Sequence, residues 1–186
     1  GGAANTAANL RALGVETHMV GVVGNGPAGV QLRQMLEEVG VNTNELHTAE
    51  WVTTEKTRIL AGAFGTSKQQ VLRLDEEPIE ALPADIGATL AKALQSAAQH
   101  ADVIVVSDYD AGAVSGEVKE VVRRLAKDGK LVCVDSRHAV RDFVGVTAIT
   151  PNVPEAEEAS GFVINNQEST ERAGWKLRNE LELSSV

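Results

Sequence analysis

The chain begins with GGAANTAANLRALGVETHMVGVVG, residues 1–24, and this segment predicts a helix followed by a strand. Paired glycines at a helix start let a ligand approach the backbone, because no Cβ atom intervenes, and the first helical amides lack internal partners. Asn5 and Asn9 are four residues apart and therefore share one helix face. Asparagine is a poor helix former, so the pair indicates side chains kept for hydrogen bonding. The alternative is that Asn5 caps the helix and the alanines serve close packing.

The composition limits the class of protein. The chain has 186 residues, 43% of them apolar, which is enough to bury a core. No apolar run reaches the length that spans a bilayer, and no segment resembles a signal peptide, so no membrane partner is expected. The single cysteine, Cys133, excludes an internal disulfide and favours a reducing, cytoplasmic compartment. A net charge of −9 argues against nucleic-acid binding, and the four scattered histidines argue against a zinc site.

Strands and helices alternate along most of the chain, which predicts an α/β fold with a mainly parallel sheet. The run VIVVS at 103–107 is continuously apolar and predicts a strand buried on both faces. Outside residues 51–75 the predicted strands are 15–23, 103–107, 131–134 and 146–150, and after the N-terminal helix the predicted helices are 27–39, 84–100, 117–127 and 169–183.

Residues 51–75 break this alternation, because they show no helical period. Segments 52–61 and 69–74 predict two strands joined by a turn at Gly65, Thr66 and Ser67. A hairpin inserted between two helices of a parallel sheet is an excursion from it, and it predicts a flap or lid.

The stretch Gly24–Gly29 reads G-x-G-x-x-G between a predicted strand and a predicted helix, as a dinucleotide-binding fingerprint does. That fingerprint also requires a second parallel strand that ends in an acidic residue about 20 positions on. The corresponding sequence, VNTNELHTAEW at 41–51, is polar and turn-like. The sequence therefore disfavours an NAD site.

Three predicted strands end in polar residues, in VIVVSDYD, LVCVDSR and VTAITPN. The carboxyl ends of parallel strands meet at one edge of a sheet, where ligands bind. We therefore expect Asp108, Asp135, Arg137 and Asn152 to lie close together. The alternative for each residue alone is a helix cap or a turn.

The first segment resembles a signature of the PfkB, or ribokinase-like, carbohydrate kinases: G-G-A-x-N-x-A, followed by Gly14 and Gly24. The resemblance implies a ribokinase-like sheet flanked by helices, with a small β lid. It also implies that Gly1, Gly2 and Asn5 contact the substrate. That family usually has an acidic residue where this chain has Gly26, which leaves Asn25 as an alternative helix cap.

The segment TTEKTRILAG…KQQVLRLDEEP closely resembles the lid of the heptose-7-phosphate kinases in this family. The resemblance implies that residues 48–76 form a lid that doubles as the clasp of a homodimer. It assigns sugar-phosphate binding to Lys56, Arg58, Gln70 and Arg73. The alternative is a solvated edge hairpin whose charges prevent aggregation.

The polar strand ends also resemble family motifs. T-P-N-x-x-E at 150–155 implies that Asn152 and Glu155 organise the magnesium-bound phosphates of ATP, as indirect metal contacts. The same resemblance places Asp135 and Arg137 at the transferring phosphate and Asp108 at the sugar. A lysine that usually precedes Gly112 in the heptose kinases is absent, since Ala111 stands there.

Together, these features predict a partial ribokinase-like domain over residues 1–186 that lacks the first strand and the C-terminal part of the family fold. The family's catalytic aspartate lies in a G-A-G-D segment that is absent from this sequence, so the catalytic residue is unknown. The expected reaction is Mg²⁺-assisted transfer of the γ-phosphoryl group of ATP to a hydroxyl of a sugar phosphate, heptose 7-phosphate. The alternatives are another PfkB substrate (ribose, fructose or a hexose phosphate) and a non-catalytic homologue that binds sugar or nucleotide.

Overall fold

The computed structural model describes residues 2–62, 65, 67–78 and 82–186. It divides into two compact units, one spanning Ala3–Ala81 and the other spanning Leu82–Val186 together with Gly2. The elements up to residue 81 are α1 (Gly2–Ala12), β1 (Gly21–Gly24), α2 (Pro27–Glu38), β2 (Leu46–Ala49), β3 (Glu55–Ala61) and β4 (Gln69–Glu76). Those after it are α3 (Ala84–Ala97), β5 (Val103–Asp108), α4 (Gly116–Lys127), β6 (Leu131–Ser136), a 3₁₀ turn (Val140–Asp142), β7 (Ala148–Ile149), α5 (Val153–Ser160) and α6 (Gln167–Glu180).

The predicted α/β class is confirmed by the pairing of the strands. Strands β1 and β2 are parallel, β5, β6 and β7 form a parallel sheet in that order, and β3 and β4 pair antiparallel. Helix α2 connects β1 to β2 and helix α4 connects β5 to β6. Long crossovers of this kind are what parallel neighbours require. In the described residues, no helix is long and apolar enough to cross a membrane.

The core of the first unit is built where α1 and α2 meet the β1–β2 pair. Its buried residues form one cluster: Ala7, Val23, Leu36, Val41 and Leu46. The alanines of α1 therefore do serve packing, with Ala4 against this cluster, whereas Asn5 and Asn9 are exposed. Helix α1 begins at Gly2, so Asn5 lies inside it and does not occupy the N-cap position.

The turn from β1 into α2 depends on two close backbone approaches. A Cβ atom at Gly24 would overlap the carbonyl oxygen of Trp51, and one at Gly29 would overlap the carbonyl oxygen of Gly24. Nothing lies within 4 Å of a Cβ built on Gly26, which is the N-cap of α2. Close packing within the protein therefore explains Gly24 and Gly29, the outer glycines of the G-x-G-x-x-G motif. The expected cap, Asn25, is not at the N-cap position.

The segment read as polar and turn-like contains a strand, contrary to expectation. Strand β2 pairs in parallel with β1 through Gly21↔Leu46 to Gly24↔Ala49, and Glu50 follows it. Only Leu46 of this strand is buried, which explains why the sequence carries a weak strand signal. The argument against an NAD site was that this second parallel strand is missing. The structure contains the strand.

The predicted hairpin is formed by β3 and β4, and all residues of both strands are exposed. The register pairs Lys56 with Asp75 and Arg58 with Arg73, and a bulge follows between Ile59 and Leu60. The turn at 65–67 includes Thr66, which lies outside the described residues.

The β5–β6–β7 sheet has one buried face. Ile104 and Val106 of β5 and Val132 and Val134 of β6 are at most 7% exposed. Helix α4, whose buried residues are Val118, Val121 and Val122, packs against β6. The prediction that 103–107 is buried on both faces is wrong, because Val103 and Val105 are 46% and 44% exposed.

Candidate active site

A cavity of about 190 Å³ lies beyond the carboxyl ends of β5, β6 and β7. Asp108 ends β5, Asp135 lies next to the end of β6, and Thr150 follows β7. The parallel register aligns these ends, with Ser107↔Asp135 and Asp108↔Ser136 as Cα partners. The cavity is lined by Asp108, Tyr109, Asp135, Arg137, Thr150, Asn152 and Glu155. The four residues expected to meet at this edge therefore do so.

The carboxylate of Asp108 is buried and hydrogen-bonded. The residue is 7% exposed, the Ser136 hydroxyl donates to its Oδ2 at 2.8 Å, and the Asp110 amide donates to its Oδ1 at 3.0 Å. Asp110 has a φ of 59°, in the left-handed region. An aspartate carboxylate that accepts a hydrogen bond from the backbone amide two residues later commonly supports such a turn. The side chain of Asp108 thus has a structural role in addition to its place in the cavity wall.

Asn152 and Glu155 form the capping box of α5. The Asn152 Oδ1 accepts from the Glu155 amide at 3.0 Å, and the Glu155 carboxylate accepts from the Asn152 backbone amide at 2.9 Å and from its Nδ2 at 2.7 Å. The spacing N-x-x-E is therefore satisfied locally, as a helix cap requires. Both groups nevertheless line the cavity, so capping holds them in place there.

Asp135 is a cavity carboxylate whose pKa is raised. Partial burial raises its pKa above 3.8, and the negative charge of Glu155 raises it further. A carboxylate whose ionisation is opposed by burial and by a neighbouring negative charge favours a bound cation. No group of three or more His, Cys, Asp or Glu able to hold a metal occurs among the described residues. The carboxylates of Asp135 and Glu155 and the amide of Asn152 fit Mg²⁺, which keeps most of its waters and uses few protein ligands.

Arg137 adds a cation to the same cavity. Its amide donates to the carbonyl oxygen of Asp108 at 3.1 Å, which continues the β5–β6 ladder past the end of the strands. Arginine binds phosphate through charge-assisted, bidentate hydrogen bonds. The cavity therefore combines acceptors for a hydrated cation with a donor for a phosphate, and a metal–nucleotide complex presents both.

The hairpin residues assigned to the sugar phosphate share one face. Side chains alternate along a strand, which places Lys56, Arg58 and Arg73 on one face. The bulge pairs Gln70 with Leu60 and so brings Gln70 to the same face. Lys56 Nζ contacts Glu77 at 2.6 Å and Asp75 at 3.3 Å, and the hydrogen bond to Glu77 is the main cause that raises the pKa of Lys56. Burial acts to raise the pKa of Asp75, but hydrogen bonds from Arg73 and Lys56 outweigh it and lower that pKa.

The predicted contacts at the N-terminus are placed only in part. Gly1 lies outside the described residues, Gly2 is the first residue of α1, and Asn5 is exposed within that helix.

Two cavity residues, Tyr109 and Thr150, are absent from the predicted site. Tyr109 directly follows Asp108, and Thr150 lies two residues before Asn152, in the motifs S-D-Y and T-P-N. A strand end that turns into a loop exposes consecutive side chains, and this was the signal available for finding them. Tyr109 is 48% exposed, so it is accessible to a ligand.

The comparisons with known proteins agree with this geometry. Residues 1–184 match the family described as pfkB family carbohydrate kinase. The chain is 36% identical over 186 residues to the bifunctional protein HldE of a Nitratiruptor species, covering 100% of this chain and 38% of that protein.

Solved structures with the same fold include phosphofructokinase-2 from Escherichia coli in complex with substrates and products, with a TM-score of 0.73 and 18% identity over 98% of this chain and 59% of that one. Arabidopsis thaliana ribokinase complexed with ribose and ATP has a TM-score of 0.65 and 15% identity over 95% of this chain and 56% of that one. The ribokinase-like fold is therefore confirmed, and the chain spans about 38% of the length of its curated relative. The chain belongs to the pfkB family of carbohydrate kinases.

Proposed function

We propose that this chain carries the phosphate- and cation-binding part of an ATP-dependent carbohydrate kinase whose acceptor is a hydroxyl of a sugar phosphate, heptose 7-phosphate. Residues 1–186 belong to one partial domain in this proposal, with 48–76 as its lid. The observation that carries it is the cavity in which Asp135, Arg137, Asn152 and Glu155 meet at three parallel strand ends. Such an edge is where α/β proteins bind their ligands.

Mg²⁺ held near these residues would reduce the negative charge of the nucleotide phosphates. Asn152 and Glu155 would act on its water shell, because the bonds between them hold both side chains in the helix cap and Mg²⁺ keeps most of its waters. Asp135 supplies an accessible carboxylate. Arg137 binds a phosphate oxygen, and Asp108 and Tyr109 line the wall that faces the acceptor.

The sugar phosphate is bound by the N-terminal helix and the hairpin in this proposal. Gly1, Gly2 and Asn5 contact sugar hydroxyls, and Lys56, Arg58, Gln70 and Arg73 bind its phosphate. The support is that the register gathers the four hairpin side chains on one face. Exposed ion pairs such as Lys56–Glu77 contribute little energy, so a doubly charged phosphate competes well for these cations.

The choice of heptose 7-phosphate is supported by the resemblance of this hairpin to the lids of the heptose-7-phosphate kinases and by the HldE relative. Formation of ADP-heptose is the biosynthetic context that follows. A cytoplasmic location is included in the proposal on the ground that Cys133, the one cysteine in the sequence, is a free thiol.

A screen of ATP consumption by the full-length protein tests this function, with sugars and their phosphates compared at matched concentrations and Mg²⁺ present or absent. We expect Mg²⁺-dependent turnover with phosphorylated sugars and the highest kcat/KM with heptose 7-phosphate. A higher kcat/KM with ribose, fructose or a hexose phosphate would replace the acceptor and keep the enzyme class. No turnover with any acceptor, together with binding of sugar or nucleotide by calorimetry, would identify a non-catalytic homologue.

A homodimer is the remaining part of the proposal. The hairpin face opposite the charged one carries Thr57, Ile59, Leu72 and Leu74. Ile59, Leu72 and Leu74 are 42%, 48% and 54% exposed. An isolated two-stranded hairpin is marginally stable in water, and a clustered apolar surface marks an interaction site. In this proposal the apolar face of a second copy of the hairpin packs against this one and covers it.

A further inference from the structure

Ser136 is a buried polar residue at the end of an otherwise apolar face. The register places Ile104 beside Val132, Val106 beside Val134 and Asp108 beside Ser136. All of these side chains lie on the buried face of the sheet, and Ser136 is 1% exposed. The face therefore ends in a serine and an aspartate, and buried groups of this kind require hydrogen-bond partners.

The hydrogen bonds of Ser136 connect both walls of the cavity. Its hydroxyl donates to Asp108 Oδ2 at 2.8 Å and accepts from the Ala139 amide at 3.2 Å. The other carboxylate oxygen of Asp108 accepts from the Asp110 amide, which fixes the turn that carries Tyr109. On the β6 side, the neighbours of Ser136 are Asp135 and Arg137.

Side chains alternate along a strand, so burial of Ser136 directs its two neighbours away from the sheet interior. Asp135 and Arg137 are both exposed and both line the cavity. A shift of the β6 end relative to the β5 end would move these two side chains with respect to Tyr109. The hydroxyl–carboxylate bond joins those two strand ends through their side chains, beside the backbone bond from the Arg137 amide to the Asp108 carbonyl.

We propose that Ser136 is a positioning residue for phosphoryl transfer: through Asp108 it fixes the distance between the wall formed by Asp135 and Arg137 and the wall formed by Tyr109. Ser136 does not touch the substrate. A misplacement of about 1 Å in such a site is enough to lower a rate by about 100-fold. The inference rests on the proposed function for its kinetic assay but not for its structural one.

The test compares Ser136→Ala with Ser160→Ala in the full-length protein. Ser160 is a matched control because it is 2% exposed, its hydroxyl accepts a partly buried hydrogen bond from the Phe162 amide at 3.2 Å, and it lies at the opposite end of α5 from Glu155. We expect both variants to lose a similar amount of thermal stability. Only Ser136→Ala should lower kcat, by about 10- to 100-fold, with KM for ATP changed much less. Ser136→Thr, which keeps the hydroxyl, should recover most of kcat.

Equal kcat values for Ser136→Ala and Ser160→Ala would overturn the proposal, since burial alone would then account for the serine. Loss of kcat in Ser136→Ala without recovery in a folded Ser136→Thr would also overturn it. If the wild type phosphorylates no acceptor, the proposed function fails and crystal structures decide the inference. Displacement of Arg137 relative to Tyr109 in Ser136→Ala but not in Ser160→Ala supports it, and unchanged positions refute it.

Discussion

Asn152 and Glu155 have two roles that a single substitution can separate. Their reciprocal bonds cap α5, and their side chains line the cavity. Glutamine satisfies a capping box as glutamate does but carries no charge. We therefore expect Glu155→Gln to change the free energy of unfolding by less than about 0.5 kcal/mol and to lower apparent Mg²⁺ affinity or kcat by about 10- to 100-fold, as loss of an outer-sphere contact does. Mg²⁺ titrations of activity and denaturant unfolding measure the two effects.

A second capping box provides the control for this prediction. Asn166 caps α6 through the Ser169 amide at 2.8 Å, and it is not among the cavity residues. Asn152→Ala and Asn166→Ala should each cost about 1 kcal/mol of stability, whereas only Asn152→Ala should change the Mg²⁺ dependence. Identical Mg²⁺ curves for the two variants would mean that N-x-x-E is only a helix cap in this chain.

The pKa of Asp135 allows the coupling between Asp135 and Glu155 to be tested without a substrate. Because burial and the charge of Glu155 raise this pKa, the folded state holds the proton more tightly than the unfolded state. The stabilising effect of that proton is complete below 3.8 and is lost as pH rises through the higher folded pKa. Glu155→Gln should lower the Asp135 pKa while leaving it above 3.8, since burial, the larger cause, remains. Carboxyl NMR titration measures the shift, and an unchanged titration would exclude coupling between the two carboxylates.

Gly26 is a position at which a residue with a capping side chain should stabilise helix α2. It is the N-cap of α2 with φ −77° and ψ 175°, it makes no side-chain cap, and a Cβ there meets nothing within 4 Å. Aspartate is a preferred N-cap and its charge favours a helix N-terminus. Gly26→Asp should therefore raise the free energy of unfolding by about 0.5 kcal/mol.

The neighbouring Gly29→Ala should instead destabilise, because its Cβ would overlap the carbonyl oxygen of Gly24. Thermal unfolding of the two variants measures both effects. Lower stability in Gly26→Asp would show that the backbone there cannot accept a capping side chain.

At the scale of secondary structure, the charged face of the hairpin places Arg58 directly opposite Arg73. Like charges in this position destabilise a pair of strands, and an anion bound between them removes the cost. Arg58→Ala should therefore lower kcat/KM for a phosphorylated sugar by roughly 10- to 100-fold, the loss of charge-assisted hydrogen bonds, and change an unphosphorylated sugar far less. Lys68→Ala is the control, since Lys68 is an exposed cation just before β4. Equal losses with both sugars would remove the phosphate-binding role.

Elements with strong periodicity could be predicted, and those defined by tertiary pairing could not. Helix α4 has its apolar residues on one stripe, so the predicted range 117–127 differs from Gly116–Lys127 by one residue. By contrast, β1 is limited to Gly21–Gly24 within a β-rich run from 15 to 23, because only these residues find a parallel partner in β2. Strand β2 itself has one buried side chain, and no local pattern reveals it.

The candidate site was more predictable than the strands that build it. Its residues follow strand ends, and a polar residue directly after an apolar run is visible in sequence. Whether such a residue faces the cavity or the interior was not visible, because one step along a strand changes the face. Asp108, expected at the sugar, lines the cavity and is also buried and bonded to Ser136, while Tyr109 beside it lines the same cavity and is exposed.

At the scale of the whole chain, a net charge of −9 opposes the binding of anionic ligands, so local cations must offset it. The structure concentrates them: Lys56, Arg58 and Arg73 share a hairpin face, and Arg137 lies at the strand ends. In the proposed function, Mg²⁺ offsets the negative charge of ATP in addition to these cations. This distribution predicts binding that depends on a few named cations and not on a general electrostatic field.

In the proposed homodimer, the apolar hairpin face is the surface that joins the two copies. Leu74 and Leu60 are 54% and 53% exposed, and the register places them on opposite faces of the same hairpin. If Thr57, Ile59, Leu72 and Leu74 form the interface between two copies, a buried carboxylate on that face has no partner. Leu74→Glu should therefore convert a dimer of the full-length protein to a monomer, whereas Leu60→Glu should not. Light scattering across a concentration series measures the mass. A wild type that stays monomeric at the highest concentration, or two variants with the same mass, would remove the hairpin as a dimer interface.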